Sequence, residues 1–184
     1  MKFLKTPWGE VLITILIALI IFAGVRATLQ SFVVKQQSME PSFHDGQYIL
    51  ANKLTYHFSS PKRGDVIIFH TEFIHPQNRG ELYIKRVIGL PGERVEINGG
   101  KIYIIKNGEK KELEEKPHFQ IPYSDNCSVL VPPDHYFVLG DNRASSIDSR
   151  RGWTVPRDYI VAKTWLCYWP LSKWGLSPSY SWQL

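Results

Sequence analysis

The 184-residue sequence lacks several features that identify common classes of protein. It contains two cysteines, Cys127 and Cys167, which are too few for a disulfide framework or a zinc site. The formal charge of +5 is not concentrated in a recognisable nucleic-acid-binding motif, so we expect no nucleic-acid partner. No residue pattern calls for a metal ion or an organic cofactor, and we predict neither.

Long apolar runs are also absent, with one exception near the amino terminus. Residues 11–25 carry no charge, and Arg26 closes this 15-residue run, which is shorter than the roughly 20 residues that cross a bilayer. A signal peptide has such a basic start and such a length. A spanning helix can instead begin at Trp8 and continue through residues 27–29, with Arg26 reaching the headgroups. Because no Ala-x-Ala pattern follows the run, we favour the retained helix.

The anchor divides the chain into three predicted segments. Residues 1–9 form a short amino-terminal segment, residues 10–30 a transmembrane helix, and residues 31–184 one domain. About 150 residues are enough for a domain with a hydrophobic core. The basic charge suits anionic headgroups, so we expect a lipid bilayer as one partner.

Beyond the anchor, the pattern predicts strands rather than helices. Residues 94–97 and 101–105 alternate around Asn98-Gly99-Gly100, a strong hairpin signal. Residues 110–125 are charged and contain two prolines, so we expect an exposed excursion there. The fold class predicted is all-β, with mostly antiparallel sheets. Further short strands are predicted at residues 48–51, 66–69, 83–88, 135–139 and 159–169.

Ser38, a few residues beyond the anchor, is a candidate nucleophile. A serine hydroxyl needs a base to take its proton, and none of the six histidines lies in a recognisable triad motif. Lys85 lies in the middle of the strand predicted at residues 83–88, where burial would lower its pKa and favour the neutral amine. Most strand lysines lie on an exposed face, so spacing alone does not assign Lys85 as the base.

Four stretches together resemble the signature boxes of the type I signal peptidases, which are membrane-anchored Ser/Lys endopeptidases. Their order and spacing match the family across about residues 20–171. One such box would be a weak signal, but four in order are specific. The resemblance implies a serine endopeptidase that removes signal peptides from secreted preproteins, cutting after small residues in Ala-x-Ala patterns. The four stretches are residues 38–43 (SMEPSF), 64–69 (GDVIIF), 83–93 (YIKRVIGLPGE) and 140–150 (GDNRASSIDSR).

The resemblance also implies roles for individual residues. Ser38 would be the acylated nucleophile, and Lys85 the general base for acylation and deacylation. Ser146 would hydrogen-bond the Lys85 amine and orient it. Asp148, together with Arg150, would hold the Ser146 loop in place.

The sequence departs from the family pattern at two places. Gln36 stands where many members carry a hydroxyl group that joins the Ser38 backbone N–H in the oxyanion hole. A glutamine amide can also donate, so this role is left open. Ser42 and Phe43 replace the usual threonine and leucine, and we expect the phenylalanine to reshape the substrate pocket.

The substrate implied is the extended stretch before a cleavage site, docked as an added β-strand. The same resemblance implies a single-pass protein of the cell membrane, with a cytoplasmic amino terminus and an extracytoplasmic catalytic domain. The family's pocket positions correspond here to Phe32, Val34, Met39, Phe43, Ile49, Ile68, Tyr83 and Ile84.

Two other functions fit parts of the sequence. A self-cleaving repressor-type peptidase also uses a Ser/Lys pair, but such proteins are soluble and carry a DNA-binding module. The apolar anchor and the absence of a helix-turn-helix pattern argue against this class. A membrane-tethered β module that only binds peptides or lipid would have no need of both Ser38 and Lys85.

Overall fold

The computed structural model describes residues 7–77, 79–115, 119–180 and 182. It begins with helix α1, Pro7–Thr28. The stretch Trp8–Thr28 is long and apolar enough to cross a membrane, and its most apolar window is not buried against the rest of the chain. Residues 1–6 of the predicted amino-terminal segment lie outside the described residues. The helix ends at Thr28, two residues before the predicted limit, because Leu29 already begins a strand.

Among the described residues after α1, most of the regular secondary structure is strand, accompanied by the short helix α2, Thr55–Phe58. The strands are β1 Leu29–Val33, β2 Tyr48–Asn52, β3 Val66–His70, β4 Leu82–Gly89, β5 Arg94–Asn98, β6 Lys101–Lys106, β7 Glu109–Glu112, β8 Cys127–Leu130, β9 His135–Leu139, β10 Val155–Pro156, β11 Ile160–Trp169 and β12 Gly175–Leu176.

These strands form two antiparallel sheets. The large sheet has the order β1-β2-β11-β3-β4-β9-β10, with β12 paired to β11. The small sheet has the order β7-β6-β5-β8 and contains the predicted hairpin, β5–β6. The predicted all-β, mostly antiparallel fold with one amino-terminal apolar helix is therefore confirmed.

The large sheet packs apolar side chains on both of its faces. One cluster includes Phe69, Val87 and Val138, and a second, near β1, includes Ile49 and Ile68. A third cluster joins the small sheet to β4 and β9. Because β4 takes part in the contacts of both sheets, its side chains are held at the centre of the domain.

The prediction of an exposed excursion over residues 110–125 was wrong in part. Residues 116–118 lie outside the description, but Leu113, Phe119 and Ile121 on either side of them are buried. Leu113 and Ile121 pack on the small-sheet core. The charged residues around them dominate the composition of this stretch, so the composition did not predict that these apolar residues are buried. The strands β1, β7, β8, β10 and β12 were also missed, because short strands without a clear apolar alternation give a weak pattern.

Candidate active site

Ser38 lies in the turn between β1 and β2, which backbone hydrogen bonds hold against the strands. The Val34 N–H donates to the Gln47 carbonyl at 2.8 Å, and the Gly46 N–H donates to the Val34 carbonyl at 2.9 Å. The Ser38 carbonyl accepts from the Asn142 N–H at 3.1 Å. These bonds hold the β1–β2 turn, and Ser38 within it, against the loop that follows β9.

Lys85 reaches this serine from the centre of β4. Its Nζ donates to Ser38 Oγ at 2.6 Å, and both residues are buried, with exposed fractions of 4% for Lys85 and 8% for Ser38. The structure therefore brings together the predicted nucleophile and the predicted base, which are 47 residues apart in the sequence.

Burial lowers the pKa of Lys85 to about 8. The negative charges of Asp148 and Asp141 oppose this shift, and the positive charge of Arg150 assists it. Desolvation is the largest of these influences because water no longer stabilises the ammonium group. About one amine in ten is then neutral at pH 7, against fewer than one in a thousand for an ordinary lysine.

Ser146 lies beside this pair but does not bond to it as predicted. Among the residues described, its buried Oγ has no hydrogen-bond partner, and the Lys85 amine donates to Ser38 instead. Gly140 explains how the two serine loops meet. A Cβ atom there would lie 2.2 Å from Ser146 Oγ and 2.5 Å from the Ser38 carbonyl oxygen, so only glycine fits.

Asp148 and Arg150 form a buried network behind Ser146. The Asp148 carboxylate accepts from the Gly140 N–H at 3.1 Å and from Arg150 Nε and Nη2 at 2.8 and 2.9 Å. Arg150 also donates to the Ser146 carbonyl at 3.3 Å and forms an ion pair with Asp125. This network ties the Ser146 loop to the end of β9.

Arg86 and Asp141 form a second, fully buried ion pair next to Lys85. Arg86 Nε lies 2.7 Å from Asp141 Oδ1, and Nη2 lies 2.5 Å from Oδ2. This two-point contact fixes the orientation of both side chains. It therefore joins β4, which carries Lys85, to the loop that carries Ser146.

Gln36 adopts a left-handed backbone conformation, with φ of 70°. Its N–H donates to Asp45 Oδ1 at 2.7 Å, which holds the turn in this conformation. The residue is exposed and lines the cleft beside Ser38.

A cleft of about 660 Å³ opens beside Ser38 and Lys85. Two of the predicted pocket residues, Met39 and Phe43, do not line it. They are buried in the cluster beneath the cleft, since the turn that presents Ser38 points its neighbour Met39 into the core. The predicted residues that do line the cleft are Phe32, Val34, Ile49, Ile68, Tyr83 and Ile84.

The cleft also contains residues that the sequence did not indicate. Leu82 comes from the start of β4, while Ala144, Ile147 and Arg151 come from the loop after β9. No local pattern reveals that this loop closes one side of the cleft. Among the described residues, no three His, Cys, Asp or Glu side chains are grouped to hold a metal ion.

The chain is similar in sequence to known proteins of one family. The sequence model of the family described as "Signal peptidase, peptidase S26" matches residues 8–169. A signal peptidase I from Leptolyngbya laminosa is 36% identical, over 95% of this chain and 88% of the relative. A signal peptidase IB from Staphylococcus aureus is 32% identical, over 95% of this chain and 97% of the relative. A solved signal peptidase I from Enterococcus faecalis is 30% identical, with a TM-score of 0.44, over 57% of this chain and 97% of the other.

A buried serine bonded to a buried basic side chain, beside an open cleft on a β scaffold, indicates a hydrolase with a serine nucleophile. The class is that of the serine endopeptidases. Within that class, the chain belongs to the signal peptidase family, peptidase S26.

The burial of the Arg86–Asp141 pair leads to a prediction about the stability of the fold. Asp141→Ala leaves a fully buried guanidinium without its carboxylate, so we expect the free energy of unfolding to fall by about 3–5 kcal/mol. Urea unfolding in detergent measures this change. Glu109→Ala removes an exposed partner of Lys111 and serves as the matched control, with a midpoint close to that of the parent. Equal midpoints for the two variants would contradict the importance of the buried pair.

Proposed function

We propose that this chain removes signal peptides from preproteins by a Ser38/Lys85 dyad and a covalent acyl-enzyme. The observation that carries the proposal is the 2.6 Å contact between Lys85 Nζ and Ser38 Oγ at the end of the cleft. Membership of the signal peptidase family supplies the substrate class. The burial of Lys85 supplies a base that is partly neutral near pH 7.

The reaction begins when Lys85 loses its proton. The hydrogen bond then reverses, so that Ser38 Oγ–H donates to the lone pair of the neutral amine. As Oγ attacks the scissile carbonyl carbon, its proton passes to Lys85 Nζ. The ammonium group then protonates the departing amine of the mature protein, leaving the signal peptide as an ester on Ser38.

The second half of the reaction uses the same base. Neutral Lys85 takes a proton from water as the water oxygen attacks the ester carbonyl, and Ser38 Oγ recovers a proton as it leaves. The Ser38 backbone N–H donates to the negative oxygen that forms in both steps. Gln36, which lies in the cleft wall, is the candidate for the second donor.

Ser146, Asp148 and Arg150 position the base in this proposal. Ser146 and Lys85 line the same cleft, and Ser146 Oγ has no hydrogen-bond partner among the described residues. It is therefore available to accept from the amine once the Ser38 bond has reversed. Asp148 and Arg150 hold the loop that carries Ser146.

The cleft favours small residues at the first and third positions before the cut. An extended peptide places these two side chains on the same side, toward the floor formed by Ile49, Ile68 and Ile84. Met39 and Phe43 fill the core beneath that floor and limit its depth. This arrangement supports the Ala-x-Ala preference.

The membrane arrangement is part of the same proposal. Helix α1 crosses the cell membrane once, with residues 1–9 in the cytoplasm and the β domain outside. Trp169 and Trp174 are 53% and 61% exposed and are suited to the interface of a lipid bilayer. Anchoring keeps the cleft where signal peptides emerge and raises their effective concentration.

The dyad is tested by cleavage of a preprotein with alanine at the first and third positions before the cut. We expect Ser38→Ala and Lys85→Ala each to lose on the order of a thousandfold or more in kcat/KM. Ser172→Ala and Lys62→Ala, at exposed positions, are the matched controls. A preprotein with leucine at the first and third positions before the cut should not be cleaved by the parent. A parent that binds the preprotein without cleaving it would be a binding module. Cleavage by Ser38→Ala would require another nucleophile, and cleavage by Lys85→Ala another base.

The pH dependence of kcat/KM tests the state of the base. Because the amine must be neutral to accept a proton, activity should rise about tenfold per pH unit in acid and level off above the Lys85 pKa of about 8. Steady-state cleavage in detergent micelles measures the profile. A flat profile between pH 5 and 9 would exclude Lys85 as the base.

The orientation is tested by labelling with a membrane-impermeant maleimide. Tyr123→Cys places a thiol on the exposed surface of the β domain, and Lys5→Cys places one in the amino-terminal segment, both with Cys127 and Cys167 replaced. In right-side-out vesicles, only the thiol at position 123 should react. Labelling at position 5 instead would reverse the proposed orientation.

A further inference from the structure

The chain after β12 crosses the domain next to the active site. We call residues 177–180 and 182 the post-β12 segment. Its first residue is fixed to β11, because the Ser177 N–H donates to the Trp165 carbonyl at 2.8 Å. Ser177 Oγ and Thr164 Oγ1 are also hydrogen-bonded, at 2.6 Å. From this point the segment passes Arg86 of β4 and Gly64.

The segment completes the surroundings of Arg86. The Pro178 carbonyl accepts from Arg86 Nη1 at 2.7 Å, and the Tyr180 ring centroid lies 4.5 Å from Arg86 Cζ. The remaining bonds of the guanidinium include those to Asp141 and to the Gly64 carbonyl, at 2.8 Å for the latter. Arg86 is fully buried, and this segment covers its guanidinium on one side.

The packing of the segment is close and extends to the small sheet. A Cβ atom at Gly64 would lie 1.6 Å from the Tyr180 carbonyl oxygen, so the backbones meet where no side chain fits. The Tyr180 ring contacts Phe119 at 5.4 Å and Trp182 at 5.9 Å between centroids. Trp182 in turn packs on the small-sheet core. The segment thus joins β11, the buried arginine and the second sheet.

We propose that the post-β12 segment is a positioning element for the base, acting through Arg86 and Asp141. Tyr180 is its central residue. By covering Arg86, the segment keeps water from the middle of β4. Lys85 is the residue that precedes Arg86 in this strand. It also keeps Asp141 paired with Arg86, which limits how far the carboxylate stabilises the Lys85 ammonium.

When the segment no longer covers Arg86, the pKa of Lys85 should change in a defined direction. Water entering beside β4 and a less neutralised Asp141 both favour the charged form of Lys85. The acid limb of the pH profile therefore moves toward higher pH, and activity lost at neutral pH returns in alkali. General damage to the fold lowers activity at every pH, so the two effects are separable. This inference rests on the proposed function only in taking Lys85 as the base.

The experiment compares Tyr180→Ala, Tyr180→Leu and Tyr180→Phe with the parent in detergent micelles, measuring kcat/KM from pH 5 to 10. We expect Tyr180→Ala to move the acid limb up by about one pH unit, which is about tenfold at pH 7. Tyr180→Leu keeps the apolar volume without the ring, so its acid limb should move less. This variant provides a second measurement if the alanine variant folds poorly. Tyr180→Phe keeps the ring and should follow the parent.

Tyr123→Ala is the matched control, since Tyr123 is a tyrosine with an exposed fraction of 83%. It should leave the profile unchanged. An acid limb that stays in place in both Tyr180→Ala and Tyr180→Leu overturns the proposal, whatever their stability or overall rate. A parent without an acid limb would instead overturn the assignment of Lys85, so failure of the inference and failure of the proposed function give different results.

Discussion

The burial of one amine, that of Lys85, is the constraint on which the rest of the site depends. An ammonium group at the centre of a sheet is disfavoured by desolvation, and this lowers its pKa more than the nearby carboxylates raise it. The surrounding elements maintain that balance. The β1–β2 turn covers the amine with Ser38, and the loop after β9 covers it with the residues around Ser146.

Two buried ion pairs hold these covering elements, and Lys85 belongs to neither of them. Arg86 binds Asp141, and Arg150 binds Asp148, so each carboxylate near the amine is already compensated. The first pair joins β4 to the loop after β9, and the second ties that loop to the end of β9. The two carboxylates therefore raise the pKa of Lys85 less than burial lowers it, and the proposed base stays neutral in part.

The sequence predicted elements whose signal is local and missed those that depend on tertiary contacts. Strands such as β3 and β9 followed from apolar runs between turn residues. The burial of Lys85 did not follow from such a local pattern, because an exposed strand lysine has the same spacing. Only the four stretches, found in the family's order, indicated a buried base. Met39 was placed in the pocket although the turn points it inward. The side of the cleft formed by Ile147 was missed because that loop arrives from a distant part of the chain.

The most direct test of this account is the titration of Lys85 itself. Lysine amines labelled with ¹³C by reductive methylation give separate NMR signals, and the spectrum of Lys85→Ala identifies the one that belongs to Lys85. The account predicts that this signal titrates with a midpoint of about 8, far below those of the surface lysines. A midpoint in the range of the surface lysines would contradict the claim that burial prepares this amine to act as the base.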